Sequence, residues 1–233
     1  MSGPPWHATF SRDTWSAATG ASGSQPGLPS AATPHQRYWA ADMVARTSKA
    51  PTRARVILYP MAHHVDSVFL NGTVGSGKTT VASAISAMET TPHAVIDLDA
   101  IRQFSPSSDR DPFNHELELE NLASLAANFR RAGAQRFVLA GVIEDSNEVD
   151  RYVDALRSEG MFLFRLTATP DVLNARLVQR HTNDPIELAW YLSRVGQLTQ
   201  ILDTATIDMV SLDTSVRSPE ELAAIIRREI GWV

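Results

Sequence analysis

The chain has 233 residues, a net charge of −5, 43% hydrophobic and 20% charged residues, and no cysteine. This is the profile of a soluble globular protein with room for one substantial domain. It excludes disulfides and thiolate metal sites, offers no basic face for nucleic acid, and contains no apolar run near the ~20 residues of a bilayer span. A cytoplasmic location and a monomer or homodimer are therefore expected, with neither nucleic acid nor membrane as partner.

Residues 1–60 differ in texture from the rest. They are rich in Ser, Ala, Gly, Pro and Thr, carry six basic against two acidic residues, and show no sustained helical or strand period. Such a segment buries too little to offset its ordering entropy. It reads as a disordered or non-core leader: an organelle transit peptide, a tail without function, or sequence upstream of a true start at Met61. The folded domain is expected over 61–233, where 15 basic residues face 24 acidic ones.

Val68-Phe69-Leu70 is a short apolar run ending at Asn71-Gly72, a buried strand entering a turn. Thr79 to Met88 reads as a helix and Ala94 to Ile96 as a second strand closed by Asp97. Asn114 to Ala132 carries Leu117, Leu122, Leu125 and Phe129 at helical spacing and stops at Gly133. Phe137 to Ala140 is a third strand. Asp145 with Glu148 has the form of a capping box, opening a helix that ends near Glu159-Gly160. Phe162 to Leu166 is a fourth strand, after which Thr169-Pro170 and Asp184-Pro185 each pair a capping side chain with a first-turn proline. The second of these helices runs to about Leu202, with Trp190, Tyr191, Val195 and Leu198 as its packing face. Ile207 to Leu212 is a fifth strand, and Ser218-Pro219-Glu220-Glu221 caps a last helix. Apolar strands alternating with helices predict a parallel sheet covered on both faces.

Between the first strand and its helix, Gly72-Thr73-Val74-Gly75-Ser76-Gly77-Lys78-Thr79 fits G-x-x-x-x-G-K-[ST]. Wrapping a polyphosphate requires backbone N–H groups in a tight turn, hence the glycines, and a helix N-terminus aimed at the anion. Lys78 would bridge the β- and γ-phosphates, Thr79 would ligate Mg²⁺, and Thr80 follows them into the cofactor site. The lysine stands out in a chain whose only other lysine is Lys49. A Gly-rich turn without a ligand is the plain alternative, and the strand-to-helix context argues against it.

The second strand ends Asp97-Leu98-Asp99-Ala100-Ile101-Arg102, placing two carboxylates at the edge where open α/β sheets bind ligands. A carboxylate there orients or deprotonates an acceptor hydroxyl, and Arg102 would hold a polar or anionic acceptor. Read without a ligand, Asp99 is a helix N-cap and Arg102 a solvated residue.

The loop followed by D-x-D-x-x-R resembles the small-molecule kinase branch of the P-loop proteins, which includes adenylylsulfate kinase, shikimate kinase, gluconate kinase and the chloramphenicol phosphotransferase type. The likeness runs from about Val65 to the C-terminus, and Asp97, Asp99 and Arg102 match it position for position. It implies a P-loop NTPase fold of three α/β/α layers with a five-stranded parallel sheet of order 2-3-1-4-5. It also implies ATP and Mg²⁺ as cosubstrates and a small-molecule acceptor. In that branch the acidic pair organises metal (Asp97 with Thr79), binds the acceptor or abstracts its proton (Asp99). Gly141 alone matches the branch's Gly-rich acceptor wall; Glu144 either faces the acceptor or is a surface residue. Leu173 to Arg180 resembles the helix entering the lid. Arg176 and Arg180 share a face, and the resemblance assigns Arg180 to catalysis and Arg176 to the nucleotide, with an ordinary surface arginine as the alternative for one of them. Only His181-Thr182-Asn183 precedes the next cap, so the lid is short. The loop Asp213 to Arg217 would lie near the base. His63-His64 lack partners at metal spacing and receive no role.

The competing class is a nucleotide-binding regulatory ATPase or switch without an acceptor. No N-K-x-D segment for guanine recognition exists here. A motor or AAA-type ATPase would end its third strand in Asp-Glu, whereas Phe137 to Ala140 leads to Gly141.

Overall fold

The computed structural model describes residues 64–205, 207 and 209–233. The expectation for residues 1–60, like His63 and Met61, lies outside them. In chain order the elements are β1 (Ser67–Asn71), α1 (Lys78–Met88), β2 (His93–Asp97), α2 (Leu98–Ile101), α3 (His115–Arg131) and β3 (Arg136–Gly141). A 3₁₀ turn (Ser146–Glu148) leads into α4 (Val149–Leu156), then β4 (Met161–Thr167), α5 (Pro170–Arg180), α6 (Pro185–Thr204), β5 (Val210–Asp213) and α7 (Pro219–Glu229). The strands form one five-stranded sheet of order β2-β3-β1-β4-β5, every pairing parallel. The order is the expected one.

Strand periodicity divides the core in two, because successive side chains point to opposite faces. Val68, Leu70, Val138 and Ala140 face α1 and α7, packing on Val81, Ile85, Leu222 and Ile226. Phe69, Phe137 and Leu139 face the other way, onto Leu98, Leu122, Tyr152 and Leu156. With both faces covered, β1 is buried along its whole length. Trp232, 2% exposed, closes the first face; its indole N–H donates to the Val65 carbonyl at 2.8 Å.

Three expectations need correction. Asp145 and Glu148 do not form a capping box. The Asp145 carboxylate accepts from Asn147 N, and Glu148 is drawn away by His115 at 2.7 Å and Arg151 at 3.0 Å. The helix consequently starts at Val149, and it ends at Leu156, where Arg157 turns left-handed (φ 52°). β5 starts at Val210, later than Ile207, whose side chain and that of Met209 pack under the sheet instead. The buried stripe of α3 is Glu118, Leu119, Leu122 and Ala126, while Phe129 is exposed. The helix is thus rolled relative to its apolar pattern, and a carboxylate is turned inward. The caps at Thr169, Asp184 and Ser218 form as expected, the last as a reciprocal capping box with Glu221.

At the opposite end of the sheet from the loop, Asp66 is buried and holds three elements together. Its carboxylate accepts from Ser67 Oγ at 2.8 Å, from Ser158 Oγ, and from Arg130 at 3.0 Å. Burial alone would raise its pKa, but these bonds outweigh it and hold the carboxyl below the ordinary aspartate value. A group whose folded pKa is depressed stabilises above its unfolded value and loses that contribution as pH falls through the folded one. Thermal melts below about pH 4 should therefore show a steeper loss of stability for the wild type than for Asp66→Asn. Parallel acid limbs would remove Asp66 from the linkage.

Candidate active site

The carboxyl ends of β1, β2 and β3 lie side by side, with Asn71 opposite Gly141 and Asp97 opposite Ala140. Asn71, fully buried, fastens this edge. Its side chain accepts from Gly72 N at 2.8 Å and donates to the Ile143 carbonyl at 2.9 Å, tying the start of the loop to the exit of β3. Gly72 then passes so close to β4 that a Cβ would sit 2.5 Å from the Leu166 carbonyl oxygen. Gly77 caps α1 with φ 91°, a left-handed conformation that favours glycine. The loop backbone and the α1 N-terminus make the amide cradle expected of a phosphate site.

Lys78 Nζ donates to the Gly72 carbonyl at 2.9 Å and the Thr73 carbonyl at 3.1 Å, folding back over the loop. Burial lowers its pKa, opposed by the nearby charges of Asp99 and Asp97. Thr79 Oγ1 donates to Asp97 Oδ2 at 2.9 Å, while Asp97 Oδ1 accepts from Asp99 N at 3.0 Å. Asp97 therefore caps α2 as well as joining Thr79, and the cap that the sequence offers to Asp99 is filled by Asp97. A hydroxyl and a carboxylate meeting beside a phosphate cradle fit a divalent cation shared with phosphate oxygens, as Mg²⁺ prefers. Asp99 is left outward-facing, paired with Arg102. Arg102 also reaches Glu118 at 3.2 Å, and Glu118 accepts from the Tyr152 hydroxyl at 2.6 Å.

On the other side of the loop, Arg176 donates to the Gly75 carbonyl at 3.1 Å and to Thr214 Oγ1 and carbonyl at 2.9 and 2.8 Å. It locks α5 and the segment after β5 onto the cradle. Arg180 and Arg217 line the same cleft, of about 400 Å³, together with Gly75, Gly77 and Thr80. Arg180 is exposed, yet close enough to Lys78 to depress its pKa. Gly141 is buried beneath the acidic pair: a Cβ there would lie 2.4 Å from Leu98 Cδ1, so its role in the structure is to let α2 seat on β3. Glu144 pairs with Arg194 at 2.8 Å, a buried guanidinium from α6 whose pKa burial lowers.

The sequence residues Gly72 to Thr80, Asp97, Asp99, Arg102, Arg176 and Arg180 are thus gathered at one sheet edge. Asn71, Glu118, Tyr152 and Arg194 were not foreseen. An Asn closing an apolar strand just before a Gly-rich loop is the one available signal among them.

Parallel sheet order, loop and helix N-terminus define a P-loop nucleotide-binding domain. A family model described as an AAA domain matches residues 68–189, more than half of the chain, and the chain belongs to that family. The description includes the AAA label that the missing Asp-Glu had argued against; β3 does end at Gly141. No curated protein matches the chain. Among solved structures it is similar to the tunicamycin resistance protein of Deinococcus radiodurans, at 20% identity over 72% of this chain and 96% of that one, with a TM-score of 0.47. It is also similar to a gluconokinase from Sinorhizobium meliloti 1021 (19% identity, 72% and 93% covered, TM-score 0.48). A third is a shikimate kinase from Acinetobacter baumannii in complex with shikimate (14%, 72% and 94%, 0.44). The fold assignment rests on the strand order and the loop, not on these likenesses. Among the described residues no helix is long and apolar enough to cross a membrane.

Proposed function

We propose that the chain transfers the γ-phosphate of ATP, with Mg²⁺, to a hydroxyl of a small-molecule acceptor. The observation that carries this reading is the outward-facing Asp99, its side chain 58% exposed, on the same short segment as Asp97, which joins Thr79. One carboxylate is placed for metal and a second is left for an acceptor.

Lys78 exchanges its two loop carbonyls for β- and γ-phosphate oxygens, while the loop amides hold the phosphate tail. Thr79 and Asp97 would hold Mg²⁺, which neutralises charge on the phosphates when bound. Asp99 accepts the proton of the acceptor hydroxyl as its oxygen attacks the γ-phosphorus and the bond to the β-phosphate oxygen breaks; ADP leaves. Arg180 stabilises the charge spread over the transferred group, and Arg102 belongs to the acceptor side, while Gly141 supports it only by letting α2 seat on β3.

The two arginines of α5 should separate cleanly. Arg180→Ala is expected to lower kcat by about 10²- to 10³-fold with little change in nucleotide affinity. Arg176→Ala should chiefly weaken nucleotide binding, because it loosens Thr214 and Gly75. Stopped-flow turnover with calorimetric nucleotide titration distinguishes them, and identical profiles would refute the division.

The family's AAA description favours a second reading, a regulatory ATPase. The deciding experiment incubates the full chain with ATP and Mg²⁺, alone and with a panel of hydroxyl-bearing metabolites and antibiotics. Slow phosphate release alone, with transfer to one panel member, is the expected result. Rapid release that no acceptor alters would establish the ATPase.

A further inference from the structure

α3 and the residue that precedes it hold the end of α2 and the chain just beyond. Asn114 Nδ2 donates to the Arg102 carbonyl at 2.9 Å and the Phe104 carbonyl at 2.8 Å, and Asn121 Nδ2 donates to the Ile101 carbonyl at 2.7 Å. Glu118 lies between them in sequence, with its Oε2 3.2 Å from Arg102 Nη1 as an ion pair. Residues 118 and 121 lie one turn apart on α3, and Asn114 is the residue that precedes its first turn. Side-chain exposure rises from 1% at Glu118 through 27% at Arg102 to 58% at Asp99. The buried end of this chain is fixed by the Tyr152 hydroxyl, itself 1% exposed on α4.

We propose that Glu118 is a positioning residue for phosphoryl transfer: anchored by Tyr152, it holds Arg102, and Arg102 holds Asp99 at the acceptor. The proposal rests on the kinase reading above and deepens it. A buried carboxylate is a poor device for stability alone, since an apolar side chain at such a position is often as stabilising or more so. Its neighbours on the stripe, Leu119, Leu122 and Ala126, show that the site accommodates apolar packing. Burial indeed pushes the Glu118 carboxyl up, against the opposing charge of Arg102. The geometry uses that carboxylate to convert the rigidity of the α3–α4 pair into a fixed orientation of an exposed reacting group. Asn114 and Asn121 fix the backbone of this segment, whereas Glu118 is the buried partner of the Arg102 side chain itself.

The test uses Glu118→Gln, which keeps volume, and Tyr152→Phe, which keeps packing, in the ¹⁵N-labelled full chain. The first readout needs no acceptor. The Arg102 side-chain Nε–Hε and Nη signals, assigned by their loss in Arg102→Lys, are expected to show slow guanidinium rotation in the wild type. They should average in Glu118→Gln, with Tyr152→Phe shifting them the same way. The second readout is transfer to the acceptor found by the panel: kcat should fall by about 100-fold in Glu118→Gln with the Kd for Mg-ATP unchanged. Arg102 signals unaltered by both variants would overturn the proposal, and so would averaged signals with an unchanged kcat. Averaged signals with no acceptor on any panel would instead defeat the kinase reading and leave the link from Glu118 to Arg102 standing. Should Glu118→Gln not fold, Tyr152→Phe carries both readouts.

Discussion

Lys78→Ala is expected to abolish phosphoryl transfer, by about 10³-fold or more in kcat/KM, while the melting temperature stays at or above that of the wild type. The two halves of this expectation have one cause. In the nucleotide-free chain the ammonium is held by two backbone carbonyls of its own loop, and its pKa is pushed down by burial. Removing it deletes a desolvated charge and leaves behind two neutral acceptors rather than an unpaired ion, so folding loses little. With ATP present the balance reverses. Amides of the loop and of α1 supply hydrogen bonds to the phosphate tail, but Lys78 is the full positive charge closest to where β- and γ-oxygens must lie, and no other lysine exists in the described residues to replace it. ADP formation by the variant in the presence of the acceptor, with thermal denaturation of the same sample, checks both halves. Retention of more than about a tenth of wild-type turnover would sink the assignment of the loop.

How much of this was readable from residues alone follows the range of each interaction. The loop is contiguous, so its glycines, lysine and threonine announce themselves in sequence, and the strand before it is legible because both faces are apolar. Caps at Thr169, Asp184 and Ser218 are equally local: each hydroxyl or carboxylate bonds to the backbone three residues on. The capping box at Asp145 failed for the complementary reason. Glu148 has the right spacing, but His115 and Arg151 compete for its carboxylate, and His115 belongs to a helix folded against it. The roll of α3 is the same lesson on a larger scale. Leu117, Leu122, Leu125 and Phe129 define one apolar face, yet Arg102 and Tyr152 draw Glu118 inward and leave Phe129 at the surface. Arg194 likewise looks like a solvated residue on a packing helix until the segment after β3 presents Glu144 to it. The loop was thus legible, and the scaffold beneath the acidic pair was not, since it is made of contacts between distant segments.

Asp99→Asn is expected to lower kcat by about 10²- to 10⁴-fold while changing the affinity for Mg-ATP by less than about threefold. The amide preserves size and can still accept from Arg102, so the local fold survives; it cannot accept a proton. Asp97→Asn is the informative contrast. Asp97 accepts from both Thr79 Oγ1 and Asp99 N, so its substitution should raise the Mg²⁺ concentration needed for half-maximal rate and disturb the α2 cap as well. If the two carboxylates have the separate duties assigned here, the Asp99 variant will keep the wild-type Mg²⁺ dependence with a depressed ceiling, and the Asp97 variant will shift the dependence itself. Titrating Mg²⁺ at saturating ATP and acceptor measures both quantities in one experiment. Equal shifts for the two variants would mean that the acidic pair acts as a single metal site, and the proton would then need another acceptor. Glu144 is a poor candidate for that duty, because Arg194 already holds it at 2.8 Å. Arg102, by contrast, keeps Glu118 when Asp99 takes up the proton. That second carboxylate is the physical reason for assigning the proton to Asp99.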